Sequence, residues 1–91
     1  MKYFDWDSAK SQKLQQERGV SFEKVLIALD EGKLLGTVEN PNQTRYPGQR
    51  MFIVEIEDYA YLVPFVEDEE KVFLKTIIPS RKATKKYLRT K

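Results

Sequence analysis

The chain contains no cysteine and no histidine among its 91 residues. Without cysteine there is no disulfide framework and no thiolate zinc site, which agrees with a reducing, cytoplasmic home. Without histidine the usual neutral-pH proton carrier and the commonest transition-metal ligand are missing. Serine–histidine and cysteine–histidine nucleophiles are excluded with it. Catalysis, if any, falls to Lys, Arg, Tyr or carboxylates. No apolar run approaches the length that crosses a bilayer, and no apolar signal core stands at the N-terminus. There is also no glycine-rich phosphate loop and no metal-ligand cluster, which speaks against nucleotide hydrolysis and metal-dependent nuclease chemistry. The expectation is therefore no cofactor and no metal.

What is present reads as one small folded domain over 1–91. The composition, 41% hydrophobic and 33% charged, is that of a globular rather than a disordered chain. A chain this short buries a thin core, so one sheet face is expected to be partly bare. Net charge is only +2, yet Arg81 to Lys91 holds six Lys or Arg and no acid. A phosphate-bearing partner could use that concentration, with Lys82 and Lys85 among its contacts. A solvated C-terminal helix whose charges serve solubility would look the same.

Along the chain, Lys2–Trp6 alternates as a brief strand. Asp7 can cap a helix over about Ser8 to Arg18, with Gly19 suited to its left-handed end. Ser21 offers a second cap, and Phe22, Val25, Leu26 and Leu29 follow on one apolar face that Ile27 widens. Gly32 would end this helix, which is expected to cover the sheet. Leu34–Glu39 reads as a strand that leads into a polar loop, 40–49, rich in amides, proline and glycine. Arg50–Glu57, Tyr59–Val66 and Lys71–Ile78 follow as strands. Pro64 cannot donate a ladder hydrogen bond, which implies a bulge or an unpaired edge. The last strand should set Val72, Leu74, Thr76 and Ile78 opposite Phe73, Lys75 and Ile77. The fold class is α+β: two N-terminal helices on an antiparallel sheet of about four strands, then a short basic helix.

Three segments, Phe4-Asp5-Trp6-Asp7-Ser8-Ala9-Lys10, Gly19-Val20-Ser21-Phe22-Glu23 and Ile77-Ile78-Pro79-Ser80-Arg81-Lys82-Ala83-Thr84-Lys85-Lys86, occur in this order. Together they resemble the BrnT-like toxins of bacterial type II toxin–antitoxin systems. The resemblance implies a RelE-like fold and a ribonuclease that cleaves mRNA and inhibits translation. It also implies a cognate antitoxin with a ribbon–helix–helix DNA-binding part, through which the complex reaches operator DNA. Arg18 stands where that family carries a histidine, and the acid that follows its terminal A-T motif is absent.

A metal-free ribonuclease needs a base for the 2′-hydroxyl, an acid for the leaving oxygen and cations for the phosphate. Arg81, just after Ser80 at a helix start, is the first choice for the phosphate clamp. Lys75 could hold phosphate or, if desolvated, act as the base. Glu55 could be the base or pair with Lys75 across the sheet. Arg50, Arg45 and Tyr46 are candidate RNA contacts, as are Tyr87, Lys10 and Arg18. The alternative is a non-catalytic RNA- or partner-binding module of the same fold; an unrelated small enzyme has no cofactor motif behind it.

Overall fold

The computed structural model describes residues 2–89. The N-terminal part comprises β1 (Tyr3–Asp5), α1 (Ser8–Arg18) and α2 (Phe22–Asp30). The sheet continues with β2 (Leu34–Glu39), β3 (Arg50–Ile56), β4 (Tyr59–Glu67), β5 (Lys71–Leu74) and β6 (Ile78–Pro79), and α3 (Arg81–Tyr87) follows.

Local chemistry sets the helix ends. Asp7 accepts the amides of Ala9 and Lys10, and Ser21 accepts that of Lys24, so each helix starts with an orphan donor satisfied. Gly19 stops α1 at φ 72°, a conformation that a Cβ would strain. The two helices are joined through one hydroxyl. Ser11 Oγ accepts the Phe22 amide at 3.1 Å and donates to Glu23 at 2.8 Å.

The α+β class holds, but the sheet differs from expectation. It is mixed and six-stranded, in the order β1-β5-β4-β3-β2, with β6 also on β4. β1 runs parallel to β5, Tyr3 opposite Lys71, and so adds an edge that a purely antiparallel reading omits. The long β4 carries two partners on one side. Its Phe65–Glu67 end pairs β5 and its Tyr61–Leu62 end pairs β6.

The break between β5 and β6 falls opposite Pro64. The Pro64 carbonyl accepts the Lys75 amide at 2.8 Å, but its nitrogen has no hydrogen to return. The chain bulges there and slips phase by one residue, which swaps faces. Ile77, not Ile78, therefore joins Val72 and Leu74 in the core, and Ile78 is exposed. This corrects the continuous alternation expected over 71–78.

The helix-covered face holds the main core, with Phe22, Val25 and Leu14 packed on Val54, Val63 and Phe65. Trp6 packs against it, its ring 6.1 Å from that of Phe22. Ile27 does not widen the stripe: it is 56% exposed, and Ala28 is buried instead. The opposite face is only partly covered. There α3 buries Ala83 against Ile53 and Ala60, with Tyr87 and Leu88 alongside. Thr84 fixes the helix in place, because its Oγ1 accepts the Ala60 amide and donates to the Ser80 carbonyl.

Candidate nucleic-acid interface

The part of the open face that α3 leaves bare is a cleft of about 430 Å³. Its floor is Met51, Leu62, Pro64 and Ile78, and its wall is the 40–49 loop through Asn40, Tyr46 and Gln49. Lys10 from α1 and Lys75 from the β5–β6 break stand at its rim. A second hollow of about 220 Å³ shares Met51 and Leu62 and extends the groove to α3, where Lys82, Lys86 and Tyr87 line it. Neither hollow is lined by an acid, although the chain has 14 Asp and Glu. Hollows elsewhere are lined by Glu23, by Glu31 and by Asp30. The groove thus combines an apolar floor, two tyrosines and cations of one sign.

The loop wall is stitched by its own amides. The Asn40 amide donates to the Gln49 carbonyl at 2.9 Å and closes the base of the loop. Gln43 Nε2 donates to the carbonyls of Asn40 and Gln49, while its Oε1 accepts the Gly48 amide. Gly48, at φ 75°, supplies the left-handed turn. Arg45 lies with its guanidinium carbon 5.5 Å from the Tyr46 ring centroid, within cation–π reach. On the other rim Lys75 Nζ lies 5.5 Å from the Phe73 ring centroid.

The residues singled out from sequence are divided by the fold. Lys75, Lys10, Tyr46, Lys82 and Tyr87 line the groove. Glu55 does not pair with Lys75. It opposes Ala60, whereas Lys75 bonds Pro64, which opposes Met51. Four residues of strand separate the two positions, roughly 13 Å. Lys75 is also exposed, so the burial that base chemistry on a lysine requires is missing.

Arg81 lies beyond Ser80, whose amide bonds the Ala60 carbonyl; it is exposed and outside the groove. Ser80 Oγ already accepts the Ala83 amide, and α3 has only seven residues. The Ser80 cap thus takes one of the orphan amides at the helix start.

Two arginines are committed elsewhere. Arg18 donates to the Ile77 carbonyl at 2.7 Å and so pins the strand break. Arg50 is on the helix-covered side of the sheet, over the Phe65 ring and paired with Glu67. The Lys2 ammonium, hydrogen-bonded to Glu67, and then Arg50 hold that carboxyl below its usual range. Lys85 is exposed on α3 and lines neither hollow.

Sequence reasoning passed over Gln49 and Lys86. Gln49 is only 8% exposed, and a polar side chain buried just before a strand leaves no periodic signal. Lys86 was hidden among its basic neighbours, since only the docking of α3 decides which of them face the sheet.

Among the described residues, no group of acids, histidines or cysteines is placed to hold a metal. Among the same residues, no helix is long and apolar enough to cross a membrane. Comparison with family models, curated proteins and solved structures finds no match to this chain.

Proposed function

We propose that this chain is a toxin of the type II kind, a metal-independent endoribonuclease that binds single-stranded mRNA in the sheet groove. One observation carries the reading: the groove has tyrosines over an apolar floor, a rim of lysines and no acid in its lining. Unstacked bases bind aromatic and apolar surface, while their phosphates need cations. Lys75 and Lys10 hold the phosphate at one end, Lys82 and Lys86 continue the track, and Tyr46 and Tyr87 take bases. The resemblance of the Phe4–Lys10, Gly19–Glu23 and Ile77–Lys86 segments to BrnT-like toxins supplies the biological setting. In that setting a cognate antitoxin covers this basic, partly apolar face and carries a ribbon–helix–helix part to operator DNA.

A second reading, a non-catalytic RNA-binding module, is favoured by the separation of Glu55 and Arg81 from Lys75 along β4. Cleavage distinguishes the two. The native chain and Lys75→Ala are induced in bacteria, and growth and intact mRNA are followed at equal protein level. Arrested growth with cut mRNA, relieved by Lys75→Ala, supports the ribonuclease. Intact mRNA with a folded, well-expressed chain removes the enzyme and leaves the binding module.

A further inference from the structure

Gln49 is held by a chain of hydrogen bonds that fixes which end of its amide faces the cleft. Asn40 Oδ1 accepts the Asn42 backbone amide at 2.9 Å. Since a backbone N–H needs an acceptor, that atom of Asn40 is the oxygen and its other terminal atom is the nitrogen. Asn40 Nδ2 then donates to Gln49 at 2.7 Å, so the atom it meets is Gln49 Oε1. Gln49 Nε2 is left without a protein partner, yet no buried side-chain polar atom is unsatisfied among the described residues. The Nε2 group is therefore solvent-accessible, and Gln49 lines the cleft beside Tyr46. Orientation of this amide follows from the backbone at Asn42.

A free glutamine reads adenine by donating to N7 and accepting from N6. Here Asn40 holds Oε1 with one hydrogen bond, and Nε2, a donor with no protein partner, is the group left to meet a base. Donors suit a base edge that carries a carbonyl, O6 of guanine or O4 of uracil. They oppose the amino groups at N6 of adenine and N4 of cytosine, donor against donor. The cleft volume, about 430 Å³, lies within the range of roughly 300–1,000 Å³ for small-ligand sites. Tyr46 offers a ring for stacking, and Lys10 and Lys75 carry the charge a phosphate needs.

We infer that the cleft holds one unstacked nucleotide and that Gln49 selects a keto base, guanine or uracil, over adenine or cytosine. This rests on the RNA reading of the groove and adds a specificity to it. Uracil and cytosine are the sharpest pair, because at the edge Gln49 meets they differ in O4 against N4.

The test is fluorescence anisotropy of the full chain with two short oligoadenylates, one with a central uridine and one with a central cytidine. The uridine strand is expected to bind on the order of tenfold more tightly. Gln49→Glu keeps an oxygen for Asn40 but offers the base an acceptor, so the order should reverse in favour of cytidine. Asn40→Ala frees Oε1 and should bring the two strands to equal affinity. The wild-type comparison needs no variant to fold.

Equal binding of both strands by the wild type, or a uridine preference unchanged in Gln49→Glu, would overturn the inference and leave the RNA reading standing. Failure of the wild type to bind either strand would remove the RNA reading itself.

Discussion

Ser11 shows how much one hydroxyl can hold. It is buried, and it satisfies the Phe22 amide while donating to Glu23. Ser11→Ala leaves a buried N–H without an acceptor, an expected loss of about 1–3 kcal/mol in urea unfolding. The loss should also depend on pH. The Ser11 hydroxyl, chiefly, holds the Glu23 carboxyl below its ordinary value. A carboxyl lowered on folding contributes stability above its unfolded value, and that contribution fades as pH falls through the folded one. Ser11→Ala should therefore cost more at about pH 7 than in acid, where the glutamate takes up its proton. Equal losses at the two pH values would detach Glu23 from the effect. The serine was in plain view within the sequence, but its partner lies twelve residues away on another helix. Only the docking of α1 on α2 reveals it.

Among the elements, the β3–β4 hairpin carries the strain. Its two-residue turn, Glu57-Asp58, has φ of 53° and 65°, the left-handed pair of a type I′ turn, which glutamate suits poorly and Asn-Gly suits best. Replacing them by Asn-Gly should raise stability by about 1 kcal/mol, measured as a higher urea midpoint at unchanged slope. The Asp58–Arg89 and Glu57–Lys24 ion pairs removed by the exchange are exposed and are worth little. An unchanged midpoint would mean the hairpin does not feel its turn.

Elements with local causes were legible in the chain: Asp7 and Ser21 as caps, Gly19 as a stop, the alternation of Arg50–Ile56. Pro64 was legible as a disturbance but not as a place. That the interruption would fall on β5–β6, and flip Ile77 inward, depends on which neighbour met the missing N–H. The site followed the same rule. Lys75 and Tyr46, singled out for charge and aromaticity, which are local properties, both line the groove. Glu55 was set beside Lys75 wrongly because their distance is fixed by strand register, while Arg81 does stand at the helix start after Ser80.

At the scale of the whole molecule, helices α1 and α2 cover one sheet face, while α3 covers only part of the other; the proposed RNA groove lies on that second face. Cations should then matter for RNA by face and not by number. Removing one cation that neutralises a phosphate lowers the salt slope of single-strand binding by about 0.7. Lys75→Ala, in the groove, should flatten log K against log salt by that amount and weaken binding to any sequence. Arg50→Ala, on the other side of the sheet and paired with Glu67, should leave the slope unchanged. If both variants shift it equally, binding is a diffuse attraction to the whole surface and the groove is not the site.

The parallel pairing of β1 with β5 has a temporal meaning. Tyr3 meets Lys71, so the earliest of these strands to be synthesised waits for one of the last. Closing so long a loop makes this edge a late event in folding, after the local β3–β4 hairpin. In refolding followed by pulsed hydrogen exchange, amides of Ile53 and Val54 should gain protection before that of Tyr3, which bonds the Glu70 carbonyl. On the proposed RNA reading, a nascent chain still lacking Lys75 and α3 would have no groove to offer the message being read.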